Sequence, residues 1–166
     1  MMLSPRALLG GIAALSLAAV AAALVSQHVF EMQPCPWCVL QRLVFVAVAI
    51  VALAGLALRS SAGRAGTAVA LLLLCGAGIA AVLWQHFVAA ASNSCNLTLA
   101  DRIMNGSGLP MLLPNVFEAR ATCADAAVAL LGLPYEFWAL GLFVAVGAAA
   151  VALLRGVRDD VQPAAV

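Results

Sequence analysis

Four apolar stretches punctuate the chain: residues 7–25, 43–58, 67–88 and 137–154 contain no Asp, Glu, Lys or Arg, and the charged residues gather between them. A helix needs roughly 20 residues to cross a bilayer core of about 30 Å, and the second stretch reaches that length once residues 39–42 are included. Backbone groups in lipid must be satisfied within their own segment, so such stretches predict helices. Pro134 suits the first turn of the last one, where a missing N–H costs nothing. The pattern therefore predicts an all-α membrane protein, a four-transmembrane-helix bundle forming one integral membrane domain over residues 1–166, with spans near 7–25, 39–58, 67–88 and 134–154.

Composition strengthens this reading. Of 166 residues, 66% are hydrophobic and 9% charged, and the mean hydropathy is +1.11. A soluble globule has too little polar surface to cover so much apolar area. With a net charge of +1, no nucleic-acid partner is expected.

Arginine sets the orientation, because the chain has no lysine. Arg6, Arg59, Arg64, Arg155 and Arg158, five of the eight arginines, fall on one side of a four-span arrangement. The positive-inside rule makes that side cytoplasmic. Both termini are then cytoplasmic, and two extracytoplasmic loops, 26–38 and 89–133, carry most of the acids. The first stretch could be cleaved as a signal peptide, since Ala21-Ala22-Ala23 matches a cleavage pattern, but its apolar region is longer than signals usually have. A retained span is expected.

The first outer loop is too short to carry its residues far from the membrane, and His28 within it reads as an interfacial polar residue. Residues 59–66, rich in Ser and Gly, join two spans as an antiparallel hairpin. Cys75, amid leucines and small residues, reads as packing. Gln85 and His86 lie near the outer end of the third stretch, at the depth expected for Arg42. In the second outer loop, Thr98-Leu99-Ala100-Asp101 resembles a helix-capping pattern. Asn105-Gly106-Ser107-Gly108 is turn chemistry, and residues 109–117 are apolar between prolines, as a short interfacial helix would be.

The candidate chemistry lies at Pro34-Cys35-Pro36-Trp37-Cys38, where a polar segment meets the second apolar stretch. A C-x-x-C at a turn entering a helix commonly carries a thiolate of lowered pKa, and the first helical turn favours negative charge. Arg42, four residues past Cys38, shares its helix face; alternatively it is an arginine snorkelling to the headgroups. A structural zinc site usually needs a second cysteine pair at similar spacing. The other cysteines, Cys75, Cys95 and Cys123, are scattered singly, so no metal is expected. Four of the five cysteines face outward, where disulfides persist, and their even number invites two pairs, Cys35 with Cys38 and Cys95 with Cys123. Structural staples are one explanation, but closing so short a loop as Cys35–Cys38 constrains the unfolded chain little. Redox chemistry fits that pair better than bracing does.

The C-x-x-C before the second span, the arginine four residues on, and the two single cysteines of the second outer loop together resemble the DsbB family of quinone-linked, disulfide-generating membrane proteins. Cys123-Ala124, then Leu130-Leu131-Gly132-Leu133-Pro134 and Trp138, are similar to that family's run into its last span. The resemblance implies a protein-disulfide oxidoreductase of the bacterial inner membrane. A DsbA-like periplasmic thiol oxidase, arriving reduced, would attack a Cys95–Cys123 disulfide, with the mixed disulfide at Cys95. The Cys35–Cys38 pair would reoxidise the loop pair, and ubiquinone or menaquinone near Cys38 and Arg42 would take the electrons, with Arg42 placed to stabilise negative charge on the acceptor. DsbA, at about −120 mV, and its membrane partner with quinone are the known system that keeps the periplasm oxidising. Two departures stand out. Val128 occupies a position where the family usually has an aromatic residue, and relatives often carry a histidine deeper in the third span, so His86 is assigned no quinone contact. Vitamin-K-epoxide-reductase-like enzymes are a rival class, but there the single cysteines precede the C-x-x-C. A non-enzymatic membrane protein with structural disulfides or a metal site is the other alternative.

Overall fold

The computed structural model describes residues 4–91 and 98–161, with side chains described as far as residue 157. Four helices are long and apolar enough to cross a membrane: α1 (Pro5–Val29), α2 (Pro36–Ala57), α3 (Ser61–Trp84), prolonged by a π-helical turn over Gln85–Ala89, and α7 (Tyr135–Val161). Between α3 and α7 lie three short helices, α4 (Leu99–Ser107), α5 (Leu109–Leu112) and α6 (Pro114–Phe117). A two-stranded hairpin follows them, β1 (Ala129–Leu130) pairing with β2 (Leu133–Pro134).

Helix starts follow local chemistry. Ser4 and Ser60 cap α1 and α3 by accepting from the Ala7 and Gly63 amides. Such caps satisfy N–H groups the helix itself cannot. Thr98 and Asp101 form the reciprocal capping box that their sequence resembles. The turn expected at residues 105–108 is confined to Gly108, whose φ of 69° ends α4. Residues 109–117 are helical but broken at Leu113 (φ −135°), the residue before Pro114, as a following proline disfavours helical backbone. Pro134 does not open α7. It pairs with Ala129 in the hairpin, whose turn places Leu131 and Gly132 at φ 55° and 81°, as a tight two-residue connection requires.

The bundle packs α1 on α2, α2 on α3, and α3 on α7. Its mid-section buries Leu9, Ile12, Val48, Ala52, Leu71, Cys75, Val146 and Leu153 in one cluster, so Cys75 is a packing residue in a different cluster from Cys35, Cys38 and Cys123. Helices in lipid associate through close packing more than through water exclusion, and small residues permit it. Gly78 is the clearest case: a Cβ there would lie 2.5 Å from the Phe143 ring. Phe143 in turn stacks on Phe45 at 4.1 Å between centroids. Large apolar side chains such as Leu17, Ile50, Leu73 and Val144 are exposed on the helix flanks, where lipid contacts them.

Candidate functional site: a cysteine cluster above a polar-lined cavity

Cys35 is the N-cap of α2. Its backbone is extended, its sulfur accepts the Cys38 amide at 3.3 Å, and Pro36 supplies the first helical residue without a donor to satisfy. Cys38 therefore stands in the first turn, and the two sulfurs are 2.8 Å apart as free thiols. Cys35 is fully buried and Cys38 half-buried.

The structure adds Cys123 to this pair. The Arg120 and Ala121 amides both donate to the Pro34 carbonyl, at 2.9 and 3.2 Å, and this fastens the loop beside the C-x-x-C. Cys123 consequently shares a buried cluster with Cys35, Trp37, Ala81, Ala89 and Ala100. The hydrogen bond to Cys123, then that to Cys38, then burial hold the Cys35 thiol far above the usual thiol range. The contact with Cys35 is also the main reason Cys123 lies below it, against the opposing effect of burial. Of the two, Cys35 keeps its proton and Cys123 gives it up more readily. Cys95 lies outside the described residues, so the expected Cys95–Cys123 pair has only its second member here.

Below the cysteines, buried polar side chains meet. Gln41 Nε2 donates to Gln85 Oε1 at 2.7 Å, and Gln85 Nε2 donates to Cys38 Sγ at 3.2 Å. Negative charge arising on that sulfur thus has a donor already aimed at it. Gln85 is the first residue of the π-helical turn, a local widening that often accompanies functional positions. Arg42 is 5% exposed. One of its terminal nitrogens, Nη1, donates to Gln27 Oε1 at 2.9 Å and also to the Val116 carbonyl, while Nε is buried without a partner among the described residues. Gln27 and His28 both reach the Asn115 carbonyl. Together, Arg42, Gln27 and His28 clasp α6 to the bundle.

A cavity of about 500 Å³ opens beside this network. Cys38, Gln41, Arg42, Gln85 and Glu136 form its polar end, while Phe45 of α2, Ala19, Ala22 and Ala23 of α1 and Ala139 and Leu142 of α7 form an apolar wall. Tyr135 bridges α7 to α1 through Ser26, at 3.0 Å. His86 does not line this cavity. Its Nδ1 meets Glu136 Oε1 at 2.7 Å, and it faces a smaller pocket on the far side of that carboxyl.

The family model described as "Disulfide bond formation protein DsbB" matches residues 5–153. The chain belongs to the DsbB family. Relatives named "Disulfide bond formation protein B" include one from Herminiimonas arsenicoxydans, 34% identical over 147 residues, which cover 87% of this chain and 92% of the relative. One from Burkholderia pseudomallei is 32% identical over 152 residues, 90% of each chain. One from Pseudomonas syringae pv. syringae, "Disulfide bond formation protein B 1", is 36% identical over 133 residues, 77% of this chain and 76% of the relative. With its four apolar helices, the chain is a multi-pass membrane protein of a disulfide-forming, oxidoreductase family. For a DsbB-family protein, the convergence of Cys35, Cys38, Cys123 and Arg42 at one end of the bundle is the notable geometry.

Sequence reasoning passed over Gln27, Gln41 and Glu136. A signal did exist: a polar side chain at the end of a membrane helix is costly and seeks a partner inside the bundle.

Proposed function

We propose that the protein reoxidises a soluble, DsbA-like thiol oxidase outside the cytoplasm and passes the electrons through Cys95/Cys123 and Cys35/Cys38 to a membrane quinone. The observation that supports this best is the position of Cys35, with its thiol in reach of both Cys38 and Cys123. In a relay of disulfide exchanges each sulfur must reach the next, and Cys35 is the sulfur between the loop and the cavity.

The exchange steps balance bond for bond. A thiolate of the reduced partner attacks Cys95 of a Cys95–Cys123 disulfide and releases Cys123. Cys123, released beside Cys35, attacks Cys35 of a Cys35–Cys38 disulfide and releases the Cys38 sulfur beside Gln85. The second thiol of the partner resolves its bond to Cys95, so the partner leaves oxidised. Cys95 then displaces Cys35 from Cys123, which restores the loop disulfide and leaves Cys35 and Cys38 with the electron pair.

The cavity suits a quinone: it adjoins Cys38, has an apolar flank for a lipid-soluble carrier, and has nearby in Arg42 Nε a buried donor with no partner among the described residues. Gln41, Arg42 and Gln85 would hold the head group, and Phe45 and the α1 and α7 alanines the apolar part. A quinone bound there supplies a two-electron, two-proton acceptor. Arg42 offers positive charge where negative charge accumulates, and the Gln41–Gln85 relay orients a donor at the Cys38 sulfur. The positive-inside asymmetry supports an orientation in the bacterial inner membrane with both termini cytoplasmic and Cys35, Cys38, Cys95 and Cys123 on the periplasmic side.

Purified protein supplied with a reduced thioredoxin-like dithiol and ubiquinone or menaquinone should oxidise the dithiol and form quinol in equal amounts. Turnover without any quinone, or labelling of Cys35 and Cys38 from the cytosolic side, would overturn the reading. Cys38→Ser and Cys123→Ser variants should trap mixed disulfides whose attached partner can be identified.

A further inference from the structure

We propose that Glu136, paired with His86, is the proton-exchanging group of the cysteine cavity, an inference that rests on the redox reading above. Glu136 stands in the first turn of α7 and is 5% exposed. A carboxyl taken so far from water needs a partner, and its partner is no cation of fixed charge. Arg42, the arginine of the same cavity, commits Nη1 to Gln27 and Val116. Instead Glu136 Oε1 meets His86 Nδ1 at 2.7 Å, a direct contact between two groups that can each carry an exchangeable proton.

Their location gives this pair a use. Glu136 belongs to two compartments: the cavity of about 500 Å³ that contains Cys38, and a second pocket of about 190 Å³ that contains His86. The His86 side chain is 32% exposed. A path therefore runs from the cavity to the Glu136 carboxyl, to the His86 ring, and to the surface. The other titratable groups lining the cavity with Glu136 are Cys38 and Arg42 on α2 and Tyr135 beside it on α7, with Glu31 and Asp125 on the loops. Both loop acids are exposed, and Asp125 accepts from the Thr122 hydroxyl. Among the described residues, Glu136 is the buried carboxyl.

Electron transfer out of the C-x-x-C requires such a group. Oxidation of Cys35 and Cys38 forms one S–S bond and releases two electrons and two protons; the quinone acceptor takes up two of each. The protons leave one buried and one half-buried sulfur, and the acceptor's oxygens need a donor that can be reloaded. Glu136 accepts or gives a proton on the cavity side, and His86 restores its state from the pocket side.

A merely structural role, stapling α3 to α7, predicts different behaviour. Glu136→Gln keeps the shape and an oxygen that accepts from the His86 ring, and removes only the exchangeable proton. Under the proposal, Glu136→Gln lowers quinone-dependent dithiol oxidation at least tenfold and flattens its pH profile. Glu136→Asp retains part of the rate, and in Glu136→Gln disulfide exchange between a soluble dithiol and quinone-depleted protein slows far less than quinone-dependent turnover does. An independent readout is infrared difference spectroscopy of quinone-depleted wild-type protein, dithiol minus disulfide. A carboxyl C=O band should appear, shift with isotope-labelled glutamate, and vanish in Glu136→Gln. Wild-type protein with no such band, or Glu136→Gln at full rate, overturns the proton role. Wild-type protein that never oxidises a dithiol with ubiquinone or menaquinone overturns the redox reading itself.

Discussion

Replacing Arg42 by methionine separates two demands on one side chain. Methionine keeps an unbranched apolar stem but deletes the Nη1 bonds to Gln27 Oε1 and to the Val116 carbonyl, and with them the hydrogen-bonded tie between α2 and α6. A hydrogen bond from a charged donor is worth about 1.5–3 kcal/mol. The His28 contact to Asn115 survives and retains part of the clasp. A net loss of about 2–3 kcal/mol in docking α6 is therefore expected, which raises its open population about 30- to 150-fold. Native-state hydrogen exchange in a nanodisc reads this directly. The Phe117 and Glu118 amides, bonded to the Leu113 and Pro114 carbonyls, should exchange faster by that factor, while amides in the middle of α3 and α7 stay unchanged. Quinone reduction should fall further than exchange with a soluble dithiol, because Nε and the charge are lost from the cavity as well. Unchanged exchange at Phe117 and Glu118 would refute the clasp. Equal losses in the two half-reactions would refute a role for Arg42 toward the acceptor.

Gln85→Leu removes the donor from Cys38 and strands Gln41; reoxidation of the reduced protein by quinone should slow about five- to tenfold, as loss of roughly 1 kcal/mol at a reacting group implies, and release of Cys38 during loop exchange should slow as well. Because Cys123 is acidified chiefly by Cys35, its alkylation in reduced protein should begin at a lower pH than that of an ordinary cysteine. Cys35→Ala should move that onset upward toward the normal thiol value of about 8.5, and mass spectrometry of modified peptides over a pH series checks both signs. Gly78→Ala forces a methyl against the Phe143 ring, an overpacking that costs about 1–3 kcal/mol. It should lower the unfolding midpoint in a detergent titration, and adding Phe143→Leu should recover part of the loss.

What could be read from the chain follows the range of the interactions. The four helices were legible because lipid imposes one rule on every residue of a span, and the apolar runs obey it. The C-x-x-C and its arginine were legible because helix geometry fixes residues 35, 38 and 42 relative to each other, and Thr98 with Asp101 is equally local. Contacts between segments distant in sequence were not. Cys123 reaches Cys35 through two amide bonds to the Pro34 carbonyl, which no residue type requires. Gln41 reaches Gln85, and His86 reaches Glu136, only because α2, α3 and α7 have a particular rotation in the bundle. Arg42 was expected to serve a ligand, and its tie to α6 depends on backbone carbonyls, which carry no signature in side-chain identity.

The choice of polar groups around Cys38 follows from electrostatics. In a site of low dielectric, a fixed negative charge a few ångströms from the sulfur would oppose the charge that builds there during exchange, far more strongly than in water. A fixed positive charge would help but must be anchored, or it swings to the headgroups. The chain meets both conditions. Arg42 is anchored by Gln27 and a loop carbonyl, all neutral acceptors that leave its charge uncancelled. The sulfur is approached by the Gln85 amide, which donates without adding charge. The one buried acid of the cavity, Glu136, is turned against a histidine that can share its proton. An added carboxylate next to the sulfur, as in Gln85→Glu, should therefore slow release of Cys38 during exchange more than Gln85→Leu does. Stopped-flow measurement of mixed-disulfide decay in quinone-depleted protein compares the two, and a faster Gln85→Glu variant would contradict this ordering of charge over hydrogen bonding.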